Sequence, residues 1–225
     1  SKEILLRCYG VPEHLIEIVP LFATLPAENI PERIDIFNDK RIQFPLRLLL
    51  VGRVYERKGI DIAIQIVQQL NAQGLPAELT VCGLNERSVN LPNVQFVGPY
   101  RKSDPQQLRA YLDLYQQAHL LLHPARFEAG GTVLSEAAAF GTPGITNNTG
   151  GLATTVKDGE SGVVLPRNSP SEAYVQVILD LVSQPERYYA LCQSTRLRYE
   201  RELNSVVAGQ RLVQILEDVV KTPNP

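Results

Sequence analysis

From Leu46 onward the chain alternates between two hydrophobic rhythms. LRLLLVGR (Leu46–Arg53) is a continuous apolar run closed by a glycine, the pattern of a strand covered on both faces. Ile60, Ala63, Ile64, Val67 and Leu70 then fall at helical spacing, and Gly74 ends that helix. ELTVCG (Glu78–Gly83) and VQFVG (Val94–Gly98) predict two more strands, parted by an irregular polar stretch, Asn85–Asn93. Leu108, Tyr111, Leu112 and Tyr115 mark a second helix. HLLLH (His119–His123), PGIT (Pro143–Thr146) and GVVLP (Gly162–Pro166) bring the strands to six. Strands alternating with helices predict an α/β architecture: a doubly wound, Rossmann-like parallel sheet of about six strands. Ligands of such sheets bind beyond the carboxyl ends of the strands. After Pro166 the pattern is helical, with stripes at Tyr174–Leu181, Tyr188–Cys192 and Val206–Val219, so a C-terminal helical extension follows the sheet. KTPNP (Lys221–Pro225) reads as a frayed tail.

The first 45 residues lack this alternation. SKEILLRCYG puts Ile4, Leu5 and Cys8 on one face of a short helix that Gly10 ends, and LIEIVP (Leu15–Pro20) reads as a short strand. From Leu21 to Phe44 no periodicity lasts, and prolines at 26, 31 and 45 punctuate a linker. The expected division is therefore 1–45, remnant and linker, and 46–225, the sheet with its helices. The chain contains no methionine and begins at Ser1 inside an amphipathic pattern, as expected of a piece of a longer protein.

Composition changes this picture little. With 44% hydrophobic and 20% charged residues the chain can bury a full core. A net charge of −2 gives no reason to expect nucleic acid or an anionic membrane as a bulk partner. Cys8, Cys82 and Cys192 are scattered and odd in number, and read as reduced, buried thiols of a cytoplasmic protein. No apolar run is long enough to span a bilayer. His14, His119 and His123 lack metal-ligand spacing, and His123, before Pro124, reads as a packed or hydrogen-bonded residue at the rim of a cleft; no metal is expected.

The candidate chemistry lies at two strand ends. In HPARFEAGGTVLSEAAAFGTPGITNNTGG (His123–Gly151), Glu128 and Glu136 bracket Ala129-Gly130-Gly131, and Val133, Leu134, Ala137 and Phe140 share one side of a helix starting near Gly131. Such a start offers unpaired N–H groups and a positive dipole end, suited to phosphate. Glu136 sits inside the helix and Glu128 before it, so the two are expected to have different jobs, the segment holding a sugar, a diphosphate and a ribose in a row. On pattern alone, a surface loop before a core helix fits as well. In VGRVYERKG (Val51–Gly59), Arg53 and Lys58 flank the first strand-to-helix turn, where a guanidinium fork and an ammonium suit a diphosphate; two solvated loop cations are the plainer alternative. Glu56 and Arg57 read as surface charges. G-x-G-x-x-G and G-x-x-x-x-G-K-[ST] are both absent, which argues against a dinucleotide site or a P-loop.

Glu128-x7-Glu136, the small Ala129-Gly130-Gly131 loop, Gly141-Thr142-Pro143 and Gly150-Gly151 resemble, in order, the E-x7-E region of retaining glycosyltransferases of the GT-B fold, family 4. Gly52-Arg53 through Lys58-Gly59 resembles the G-R-x(4)-K-G element of the same family. The resemblance implies the C-terminal, donor-binding half of a GT-B fold, whose linker and terminal helices adjoin an N-terminal acceptor domain that this chain lacks; membrane contact would run through that domain. It implies a nucleoside diphosphate sugar as partner, with no metal and no further cofactor. Arg53 and Lys58 would grip the diphosphate beside Gly52. Glu128 would accept hydrogen bonds from the hexose, Glu136 would bind both ribose hydroxyls, and the backbone of Gly130, Gly131 and Thr132 would meet the distal phosphate. Tyr100 and Arg101, in the loop after the third strand, would line the nucleobase pocket, where an ordinary strand-to-helix turn fits as well; by position alone, Asn147, Asn148 and Thr149, after a later strand, could reach the sugar. Ala129-Gly130-Gly131 departs from the Pro-Phe-Gly common in that family, which bears on the sugar accepted. The whole enzyme would transfer a hexose with retention, in polysaccharide or glycoconjugate synthesis, and this chain alone would turn over little. A nucleotide-sugar-binding subunit that needs a partner chain, and a GT-B sugar-nucleotide epimerase, are the alternatives; the latter needs an acid–base pair that the sequence does not display.

Overall fold

The structure, a computed structural model, describes residues 2–33, 40–84 and 91–221. Part of the linker (34–39), most of the polar stretch (85–90) and the tail (222–225) lie outside the described residues. Six strands form one parallel sheet: β1 (Leu46–Val51), β2 (Ala77–Cys82), β3 (Val94–Val97), β4 (Leu120–His123), β5 (Gly144–Asn147) and β6 (Gly162–Leu165), in the order β3-β2-β1-β4-β5-β6. All six expected strands form. β1 pairs with β2 on one side, Leu46 opposite Ala77 through Val51 opposite Cys82, and with β4 on the other, Leu48 opposite Leu120. The order reverses between β1 and β4, and the crevice of a doubly wound sheet opens at that reversal.

Helices cover both faces because β1 is apolar on both. Leu48 and Leu50 join Leu120, Leu122, α2 (Ile60–Ala72) and two later helices, α6 (Ser171–Ser183) and α7 (Pro185–Arg198), in one core layer. Leu49, Val51 and Leu121 point the other way, into a layer built with α3 (Pro105–Gln117) and α4 (Thr132–Ala139). A four-residue helix, α5 (Leu152–Thr155), and a π-helical turn, Tyr199–Leu203, join these layers and were not expected from the periodicity.

The amino-terminal helix α1 (Lys2–Tyr9) forms as expected, but LIEIVP does not form a strand: Glu13–Leu15 is a 3-10 turn and Ile16–Pro20 is unpaired coil. A strand exists only through a neighbour's backbone, and the described residues offer this segment none. Cys8 is exposed, against expectation, as are Ile4, Leu5 and Tyr9 of the same helix. Cys82 and Cys192 are free and buried as expected. The last helix, α8 (Ser205–Lys221), buries Ala208 yet leaves Val213, Leu216, Val219 and Val220 more than half exposed. No helix among the described residues is long and apolar enough to cross a membrane.

Candidate donor-binding cleft

At the carboxyl end of β1 the chain turns through Gly52 and Arg53 into α2. Gly52 donates to the Cys82 carbonyl at 2.8 Å, and a Cβ there would lie 2.6 Å from Cγ of Lys58. Only glycine lets the Lys58 stem lie back across the strand end. Lys58 is 8% exposed, and its ammonium pairs with Glu128. Arg57 Nη1 lies 3.9 Å from the same Glu128 oxygen, so it belongs to the rim of this site and is not merely the surface charge expected.

Glu128 follows β4 and comes before α4. Its Oε2 faces Lys58 and also lies 3.4 Å from Nε2 of His123, a fully buried ring at the last position of β4. The contact with His123, then the Lys58 ammonium, outweigh burial and hold the Glu128 carboxyl down to about 2, against an ordinary 4.5. Burial lowers the His123 pKa, which leaves the ring neutral. Gly131 opens α4 at φ +65°, where a Cβ would also meet Leu152 at 2.8 Å, so the turn requires glycine. Thr132 beside it is exposed, and the first N–H groups of α4 have no partner within the helix. Gly130 is buried against Leu21 of the linker, whose carbonyl accepts from Ser135 at 2.5 Å. Gly151 donates to the Ala129 carbonyl at 2.7 Å and fastens the Gly150-Gly151 turn under the same loop.

The other wall is the loop from Gly98 to Asp104. Asp104 caps α3 by accepting from the amides of Gln106 and Gln107, and Gln107 in turn accepts from the Arg101 amide at 2.9 Å. This pins Tyr100, half-buried, and Arg101, exposed, over a cleft of about 600 Å³ that Gly52, Arg53 and Lys58 also line. Lys102, unremarked in the sequence, binds Oε1 of Glu136 at 2.5 Å. Oε2 of Glu136 accepts from the hydroxyls of Tyr111 at 2.6 Å and Tyr115 at 2.8 Å. Glu136 therefore does not present the two open oxygens expected for a diol: Oε2 is held by two buried hydroxyls, and Oε1 is paired with the half-exposed Lys102. The two tyrosines read from sequence as the apolar stripe of α3; the available signal was that hydroxyls buried on such a stripe need an acceptor.

The two acids thus stand apart, each with its own lysine, and share no proton. Asn148 is exposed in a different hollow, bordered by Lys157 and Asp158, while Asn147 is turned inward to the Ala125 carbonyl at 3.1 Å and Thr149 is buried. Among the described residues no group of His, Cys, Asp or Glu has the geometry to hold a metal.

The family model described as glycosyl transferases group 1 matches residues 32–198, about three-quarters of the chain. The chain belongs to that family. This group 1 chain is 34% identical over 217 residues to D-inositol 3-phosphate glycosyltransferase 1 of Catenulispora acidiphila, covering 83% of this chain and 48% of the relative. It is 26% identical over 213 residues to the amylovoran biosynthesis glycosyltransferase AmsK of Erwinia amylovora, covering 85% and 51%. The chain thus spans about half the length of the curated relatives it matches. Its fold matches sucrose-phosphate synthase from Thermosynechococcus elongatus, with a TM-score of 0.72 and 21% identity over 98% of this chain and 56% of that one. It also matches Anabaena HepE in complex with UDP-glucose, with a TM-score of 0.70 and 14% identity over 96% and 61%. These likenesses establish a GT-B-type Rossmann-like domain.

Proposed function

We propose that this group 1 chain is the donor-binding part of a glycosyltransferase that moves a hexose from a nucleoside diphosphate sugar to an acceptor, with retention of anomeric configuration, in polysaccharide or glycoconjugate synthesis. The observation that carries this reading is the convergence of Arg53, the Lys58–Glu128 pair and the start of α4 at the β1/β4 reversal, with Glu136 buried behind Lys102 and Tyr111, which line the same cleft. Arg53 supplies a bidentate fork, Lys58 a point charge and the α4 amides a dipole, all aimed where a leaving diphosphate gathers charge. No metal is needed for that role, and none is proposed. Glu128 is the proposed contact of the hexose hydroxyls; Tyr100 and Arg101 are the proposed flank of the base. The acceptor site is proposed to lie on a further domain, so this chain alone binds donor but turns over little. The free buried thiols fit a reducing, cytoplasmic setting.

The test is calorimetric titration with UDP, GDP and ADP of the wild type, Arg53→Ala and Glu136→Ala. One nucleotide binds, and each variant weakens it by about 1.5–3 kcal/mol, roughly ten- to a hundredfold. Binding that neither substitution weakens, or no binding at millimolar nucleotide, sinks the reading. Retention is checked on the full-length protein by the anomeric configuration of its product.

A further inference from the structure

Glu136 is 3% exposed, and its two oxygens have different surroundings. Oε1 accepts from Lys102, a half-exposed side chain that lines the cleft. Oε2 points inward to two hydroxyls that also lie 2.7 Å from one another. Three short contacts compete for only two hydroxyl protons. A carboxylate draws protons more strongly than a neutral phenol does, so both tyrosines donate to Oε2 and their mutual contact is close packing. Burial, and then the adjacent Glu136 charge, push the pKa of both hydroxyls up, so the protons stay on the tyrosines. Their rings are braced as well: Tyr111 meets Tyr115 edge-on at 5.3 Å, and Tyr115 stacks on Phe140 at 6.0 Å.

We propose that Tyr111 and Tyr115 are positioning residues that fix Oε2 of Glu136, so that the carboxylate meets a nucleotide's ribose through Oε1 alone, the oxygen that the half-exposed Lys102 yields or shares, and the pair sets the preference for ribose over deoxyribose. This rests on the donor-binding reading above and on the expectation, implied by the resemblance, that Glu136 faces the ribose. A carboxylate free to rotate could chelate a vicinal diol with two oxygens; one pinned along its inner edge offers a single acceptor in a set direction, and the nucleotide need not pay to orient it.

The test titrates UDP, 2′-deoxy-UDP and 3′-deoxy-UDP, with the GDP and ADP series beside them, into wild type, Tyr111→Phe, Tyr115→Phe and Glu136→Ala. In the wild type at least one deoxy analogue binds about tenfold more weakly than its parent. Each phenylalanine variant keeps the ring packing and weakens the parent nucleotide by about three- to tenfold, while leaving that deoxy analogue within about twofold, so the preference collapses. A purely structural role would weaken parent and analogue alike, and that outcome overturns the proposal even if the thermal midpoint falls. Unchanged binding in both phenylalanine variants with weakened binding in Glu136→Ala overturns the proposal and leaves the reading of Glu136 standing. No loss in Glu136→Ala, or no binding by any nucleotide, overturns both.

Discussion

Glu128 keeps its charge in a largely buried position because His123 and Lys58 converge on one of its oxygens. The folded carboxyl, at about 2, titrates below the ordinary 4.5, so the pair's contribution to stability is complete above about pH 4.5 and is lost as the pH falls toward 2. Glu128→Gln is therefore expected to lower stability at pH 7 by on the order of 1 kcal/mol after solvent screening, with a lower melting temperature that converges on wild type near pH 2. Melting curves from pH 7 down to 2 check this; a difference that persists unchanged at low pH contradicts it. At this scale the sequence was uneven evidence. That Arg53 and Lys58 line the cleft was legible because they flank a strand end, whose place in the sheet is known before any contact is seen. Lys102, Tyr111 and Tyr115 were not, because their roles depend on which oxygen of Glu136 each reaches, and that is set by how α3 packs on α4.

The strands declared themselves because a parallel sheet covered on both faces demands unbroken apolar runs, and LRLLLV has no other use. LIEIVP is similarly apolar but has no strand partner among the described residues, so hydrophobicity alone misread it. The short helix Leu152–Thr155 was hidden for a related reason: four residues are too few to show a period. Within α8, Gly209 sits in open space, with nothing within 4 Å of where a Cβ would be. Gly209→Ala is expected to stabilise the chain by about 0.5–1 kcal/mol through helix propensity, raising the melting temperature by about 1–3 °C. Scanning calorimetry decides it, and a fall would mean that this face of α8 is not open.

Among the described residues, most of the large apolar side chains left exposed lie on α1 and α8, and neither helix supplies a residue to the two core layers. Leu216, 65% exposed, contributes little to the fold, and Leu216→Glu should change stability by less than about 0.5 kcal/mol and weaken any self-association that runs through this face. Denaturation and sedimentation measure the two effects separately; a large loss of stability would place Leu216 in a core. The paired charges of the cleft have a longer reach. Lys58 cancels Glu128 and Lys102 cancels Glu136, so what the mouth presents is the sum of Arg53, Arg57 and Arg101. The chain as a whole carries −2, yet an approaching polyanion meets a local cation. The two fields predict opposite kinetics: if the net charge governed encounter, added salt would speed nucleotide association by screening repulsion, whereas capture by the mouth is slowed by salt. Stopped-flow association rates falling steadily between low and physiological ionic strength would mean that the arginines, and not the overall charge, guide the nucleotide in.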